Sequence, residues 1–183
     1  MANNIQIAEV LRSFVSGPRQ PHAGGLPFPS SPALEAWLAL DVLPATLPWY
    51  GDGMYLVSAT SIAQAQTGYA VLGDGKPAKD WPQDWVVVGD VSSDPVIANP
   101  AIEGTPVLYA VHGAGKWAGE LLAPTLAAFA EGLALWLMVT GESGSALEHS
   151  RLRPPVEDAV RTQIANVVGT ECLPLWLGRH WLG

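Results

Sequence analysis

A series of short β-forming runs between residues 85 and 122 constrains this chain more than any other feature. The runs are Trp85-Val-Val-Val-Gly-Asp90, Pro95-Val-Ile-Ala98, Pro106-Val-Leu-Tyr-Ala-Val-His112 and Lys116-Trp-Ala-Gly-Glu-Leu-Leu122. Gly, Pro, Asp and Ser cut them apart, which reads as successive strands of one antiparallel sheet. The segments 85–88 and 107–111 are nearly continuous apolar runs rather than alternations. Such runs suit central strands or strands covered on both faces. The connection Val91-Ser-Ser-Asp-Pro95 is predicted as a tight turn with acidic side chains at a sheet edge, and His112-Gly-Ala-Gly-Lys116 as a hairpin loop with two glycines available for positive φ.

The flanking segments read mainly as helices. Ile7, Leu11, Phe14 and Val15 share one helical stripe within residues 4–16, and Gly17-Pro18 ends it. Residues 17–31 form a Pro- and Gly-rich loop. A second helix starts at Ser31-Pro32, a capping residue followed by proline in the first turn, and carries Leu34, Trp37, Leu38 and Leu40. A short strand is expected at residues 54–57 and a short helix at 61–67, followed by a polar acidic loop from Gly73 to Asp84. Pro124 opens a helix that is apolar almost all round and ends at Gly141. Pro155 starts an amphipathic helix with Val156, Val160, Ile164, Val167 and Val168 on one side, and Glu157 and Arg161 at i,i+4 spacing. The apolar tail 172–183 is expected to dock on the body or on a second subunit. The whole reads as one α+β domain, a single antiparallel or mixed sheet flanked by helices. Its parts are an N-terminal helix and loop (1–30), a core (31–140) and a C-terminal helical extension (141–183).

Nearly half of the residues are apolar and 14% are charged, enough for a core and too apolar for disorder. The net charge of −8 is unevenly spread: residues 41–103 hold eight acids against Lys76 and Lys79. An acidic surface is a poor match for phosphate, so nucleic acid is an unsuitable direct ligand, whereas a basic protein partner is reasonable. Eight tryptophans exceed what a small core needs, and some are expected at a contact surface. Asp74, Asp80, Trp81, Asp84, Asp90 and Asp94 form an acidic cluster with an aromatic, the candidate partner-binding patch; its plain alternative is a solvated loop face. Cys172 stands alone, which fits a reducing compartment and a small buried apolar role. The N-terminus shows no signal peptide, and the apolar tract at 121–139 is read as a buried helix rather than a membrane span, because it holds Pro124, Glu131 and Gly132.

No pattern for catalysis or for a cofactor emerges. Gly113-Ala-Gly115-Lys116 fails as a phosphate loop: Ala110 stands where the first glycine belongs, and no Ser or Thr follows Lys116. The histidines at 22, 112, 149 and 180 lack helical metal spacing, so neither a metal nor a cofactor is expected. Gly141-Glu-Ser-Gly-Ser145 is not a nucleophile elbow. Asp90 and Asp94 as an acid–base pair is a weak reading, since aspartate is common in turns.

Several of these segments, taken in order, resemble the SUKH superfamily, which includes the Smi/Knr-type cell-wall regulators and many bacterial immunity proteins. They are Leu47-Pro48, Tyr55-Leu56-Val57-Ser58, the pair Trp85-Val-Val-Val-Gly-Asp90 and Asp94-Pro-Val-Ile-Ala98, Gly104-Thr-Pro-Val-Leu-Tyr109, and Leu122-Ala-Pro-Thr-Leu-Ala-Ala-Phe129 leading to Leu133. The resemblance spans about residues 30–140. It implies an α+β fold and a non-enzymatic, cytoplasmic protein that binds and neutralises a toxin domain, often a nuclease, with no catalytic residues to carry over. Two alternatives follow from the residues themselves. One is a small-molecule-binding or hydrolytic enzyme, which would require a deep pocket joining His112, Asp90 and a hydroxyl. The other is an oligomeric scaffold that dimerises through the apolar tail.

Overall fold

The computed structural model describes residues 4–16, 26–50, 53–141, 147–148 and 151–178. Six strands follow one another through a single antiparallel sheet in the order of the chain: β1 (Ala45–Leu47), β2 (Met54–Leu56), β3 (Val86–Val91), β4 (Asp94–Ala98), β5 (Val107–Tyr109) and β6 (Glu120–Ala123). The helices are α1 (Asn4–Ser16), α2 (Pro32–Leu38), α3 (Ile62–Ala65), α4 (Leu126–Gly141), α5 (Pro154–Val168) and α6 (Leu173–Trp176); a two-stranded ribbon, β7 (Leu147–Glu148) and β8 (Arg151–Leu152), precedes α5. The expected α+β architecture, one sheet flanked by helices, is therefore the observed one.

Local chemistry explains most boundaries. Ser31 Oγ accepts the Leu34 amide at 3.1 Å and Pro32 follows in the first turn, so α2 starts where a capping residue and a pre-set φ coincide. Thr125 Oγ1 caps α4 in the same way through the Ala128 amide at 2.9 Å. The β3–β4 turn is made by Ser92 and Ser93, at φ 52° and 74°, and not by Asp94-Pro95, which belongs to β4. Two successive positive φ values give the turn that matches strand twist in a two-residue hairpin.

That turn lies at the end of the central strand pair, β3 and β4, and not at a lateral edge of the sheet. The first strand, β1, had no clear sequence signal, and the returning strand begins at Glu120 rather than Lys116.

The sheet has two unlike faces. On one, Met54, Leu56, Val86, Val88, Val96, Ala98, Val107, Tyr109 and Leu122 join the large core. The apolar helix α4 is the hub of that core, packed against α1, α2, α5 and the sheet. Val15, expected on the buried stripe of α1, is 36% exposed, and Ala8 takes its place beside Ile7, Leu11 and Phe14. The tail docks on its own body as far as Gly178: Cys172, Leu175 and Trp176 are buried, and Trp176 Nε1 donates to Leu122 O at 2.8 Å. Gly132 makes room for this tryptophan, since a Cβ there would lie 2.8 Å from the indole ring. The opposite face carries Val87, Ile97 and Ala110 beneath a thin cover of α3, the 66–81 segment and Trp117. Among the described residues no helix is long and apolar enough to cross a membrane.

Candidate functional site

The thinly covered face is where Trp81, Asp80 and Asp90 of the expected patch lie, and its construction starts from Gln66. This side chain is buried. Its amide nitrogen donates to Ile62 O and Val87 O, both at 2.9 Å, and its oxygen accepts the Val87 amide at 2.9 Å. Beyond the end of β2, Gln66 thus does for β3 what a neighbouring strand would do, and it fixes α3 against the sheet. The chain then turns through a short strap bridged at Thr67–Val71 and Val71–Pro77, and Trp81 closes it.

Trp81 is 3% exposed. Its Nε1 donates to Trp85 O at 3.0 Å, and its ring sits 5.7 Å from Tyr69, 5.7 Å from Trp85 and 5.0 Å from Trp117. Trp81, the aromatic of the expected docking patch, is thus enclosed. It is the prop beneath an aromatic surface, and the rings that reach solvent are the half-buried Tyr55, Tyr69, Trp85 and Trp117. None of those four was nominated from the sequence. Tyr55 carried the one usable signal, a period-two alternation between Met54 and Leu56.

The five aspartates divide into three kinds. Asp80 and Asp84 are exposed beside Trp81 and Trp85, and Asp90 is half-buried on β3 opposite Tyr55. Among the described residues, none of these three forms an ion pair. Asp74 is exposed and pairs with Lys76 at 2.7 Å; hydrogen bonds from Lys76 hold its carboxyl below the usual aspartate range.

Asp94 faces inward and performs a structural task. Pro95 lies opposite the end of β5, where its carbonyl accepts the Ala110 amide at 3.2 Å but it has no N–H to return. The ladder stops there, and the Asp94 carboxylate holds the end of β5 by a different route, as an acceptor. One oxygen accepts the Tyr109 hydroxyl, and the other takes the His112 amide at 2.8 Å and meets His112 Nδ1 at 2.5 Å. Burial first, and the Asp94 carboxylate second, push the Tyr109 phenol far above its ordinary value, so it remains a proton donor to Asp94. Asp94 is 17% exposed, so of the aspartates expected in a docking patch it is the one already engaged within the fold.

Three clefts stand out among the described residues. One of about 210 Å³ lies under the 113–117 loop beside Asp80 and Trp117. One of about 270 Å³ lies between α3 and the sheet and is lined by Tyr55, Ser61, Gln64, Thr67, Tyr69 and Asp90. The largest of these, about 750 Å³, runs between α1 and the end of α4, far in sequence from the aspartates of the expected patch. His112 lines none of the three and is bonded to Asp94 rather than Asp90. Gly113 and Gly115 sit at φ 77° and 80° in the β5–β6 loop, as a hairpin reading of that segment requires. Cys172 is buried with its thiol pushed up to about 11, by burial first and by Glu171 second. Among the described residues no cluster of His, Cys, Asp and Glu has the make-up of a metal site. No protein-family model, curated protein or solved structure matches this chain.

Proposed function

We propose that this protein is a non-enzymatic binding module of SUKH type, acting in the cytoplasm, that captures a basic, toxin-like protein domain stoichiometrically. The observation that carries the reading is the second face of the sheet. The half-buried rings of Tyr69, Trp85 and Trp117 lie there, with Tyr55 lining the cleft beside Tyr69, next to three carboxylates that have no cation of their own among the described residues. Aromatics of this kind supply contact area at low conformational cost, and unneutralised carboxylates accelerate encounter with a positively charged surface. A nuclease domain presents such a surface, because it must itself attract nucleic acid.

The test is whether the neighbouring gene encodes a large secreted protein with a variable C-terminal domain, followed by co-expression with that domain and sedimentation. A one-to-one complex is expected. Asp80→Asn, Asp84→Asn and Asp90→Asn combined should slow its association and flatten the salt dependence of the on-rate. An unchanged on-rate, or a complex that leaves Trp85 and Trp117 fully exposed, would sink the assignment of this face.

A further inference from the structure

We infer that the cleft between α3 and the sheet is an arginine pocket, which receives one guanidinium side chain of the docking partner; this rests on the docking role proposed above. Tyr55 and Asp90 are directly opposed across β2 and β3, so the Tyr55 ring and the Asp90 carboxylate stand side by side on one face. Tyr69 forms a second aromatic wall. Its hydroxyl is fixed to Ser93 O at 2.7 Å and its far side rests against Trp81 and Trp117, so the ring is held in place. Burial, then Asp90 and Asp94, raise the Tyr69 phenol above its ordinary value, so it stays neutral beside the carboxylate. Ser61, Gln64 and Thr67 complete the wall with polar atoms.

Asp90 itself is poorly satisfied. Among the described residues its one hydrogen bond is a long one, from the Ser93 amide at 3.4 Å, and no cation pairs with it. A half-buried carboxylate flanked by two aromatic rings in a cleft of about 270 Å³ matches a planar cation that can stack and donate two parallel N–H bonds. Guanidinium meets both requirements, while an ammonium meets only the charge.

Titration of the free ¹⁵N-labelled protein with Nα-acetyl-arginine amide tests the pocket without any partner. Saturable shifts are expected at the amides of Tyr55, Tyr69 and Asp90, with a dissociation constant on the order of millimolar. The neutral isostere Nα-acetyl-citrulline amide should leave those signals in place, and Asp90→Asn should weaken the arginine derivative by about tenfold. Absence of saturable shifts, shifts of equal size with citrulline, or undiminished binding to Asp90→Asn would each overturn the pocket. Failure here removes the pocket alone. Failure to form any complex with the toxin-like domain removes the docking role instead.

Discussion

The two faces of the sheet alternate along the same strands, yet they are finished in opposite ways. On the helical face, Trp49, Trp136 and Trp176 lie within 4.3–6.4 Å of one another and are almost fully enclosed. Trp136 Nε1 donates to Pro48 O at 2.6 Å and Trp176 Nε1 to Leu122 O. On the other face, Trp81 is enclosed but Trp85, Trp117 and Tyr69 keep one side open to solvent. The same residue type therefore stabilises one face and equips the other for contact. What differs is the cover: α4 and its neighbours on one side, and a four-residue helix and a strap on the other.

The largest expected effect that would test this contrast is Trp176→Ala, which should destabilise by about 3–5 kcal/mol in urea unfolding. Trp117→Ala should cost about 1–2 kcal/mol, since only part of its ring leaves water. Equal losses would abolish the distinction between the faces. Gln66→Leu comes next, at about 2–3 kcal/mol, because it leaves the Val87 amide and carbonyl unpaired under α3. Hydrogen exchange should report the loss at Val87 before the helical face responds.

Gly132→Ala and Gly119→Ala form a smaller matched pair. Each adds a Cβ 2.8 Å from a tryptophan ring, Trp176 for the former and Trp85 for the latter. The enclosed Trp176 cannot yield, so about 1–3 kcal/mol is expected there, whereas at Gly119 the half-open Trp85 and the half-buried Leu108, 2.9 Å from the added Cβ, can both shift at a smaller cost. Ser92→Asn with Ser93→Gly is expected to stabilise by about 1 kcal/mol by relieving two positive-φ serines while keeping the Ser93 backbone bonds to Tyr69 and Asp90.

Alkaline pH sharpens the same comparison. The Cys172 thiol rises from 9.0 to about 11, and burial raises the Tyr50 and Tyr109 phenols as well, all three within the helical core. A folded-state value raised above the unfolded one contributes stability that is complete below the unfolded value and is lost as pH climbs through the folded one. Stability should therefore fall between pH 9 and about 11, and Cys172→Ala should make the first part of that fall shallower. In the native protein a thiol reagent at pH 8 should label Cys172 only at the rate of unfolding.

How legible all this was in the sequence varies by residue. The starts of α2 and α4, the apolar stripe of α5 and the four runs of the sheet were readable because they depend on local chemistry: a cap, a proline, a spacing. The Glu157–Arg161 pair at 2.7 Å belongs with them. The candidate site was readable only as a region. Asp80, Asp84 and Asp90 were found through charge, but nothing local separates Asp90, which faces an open cleft, from Asp94, four residues later, which is bonded to Tyr109 and His112. The missing N–H of Pro95 and the carboxylate beside it become meaningful only once β5 lies alongside.

The sequence by itself determined that the chain forms one helix-flanked sheet and that its middle is acidic, because periodicity and charge are properties of neighbours along the chain. Only the tertiary structure decided which tryptophans are core and which are surface. It also decided that Gln66 stands in for a missing strand and that Tyr55, Tyr69 and Asp90 share one cleft. Those are relations between segments tens of residues apart, and they exist only where packing brings the segments together.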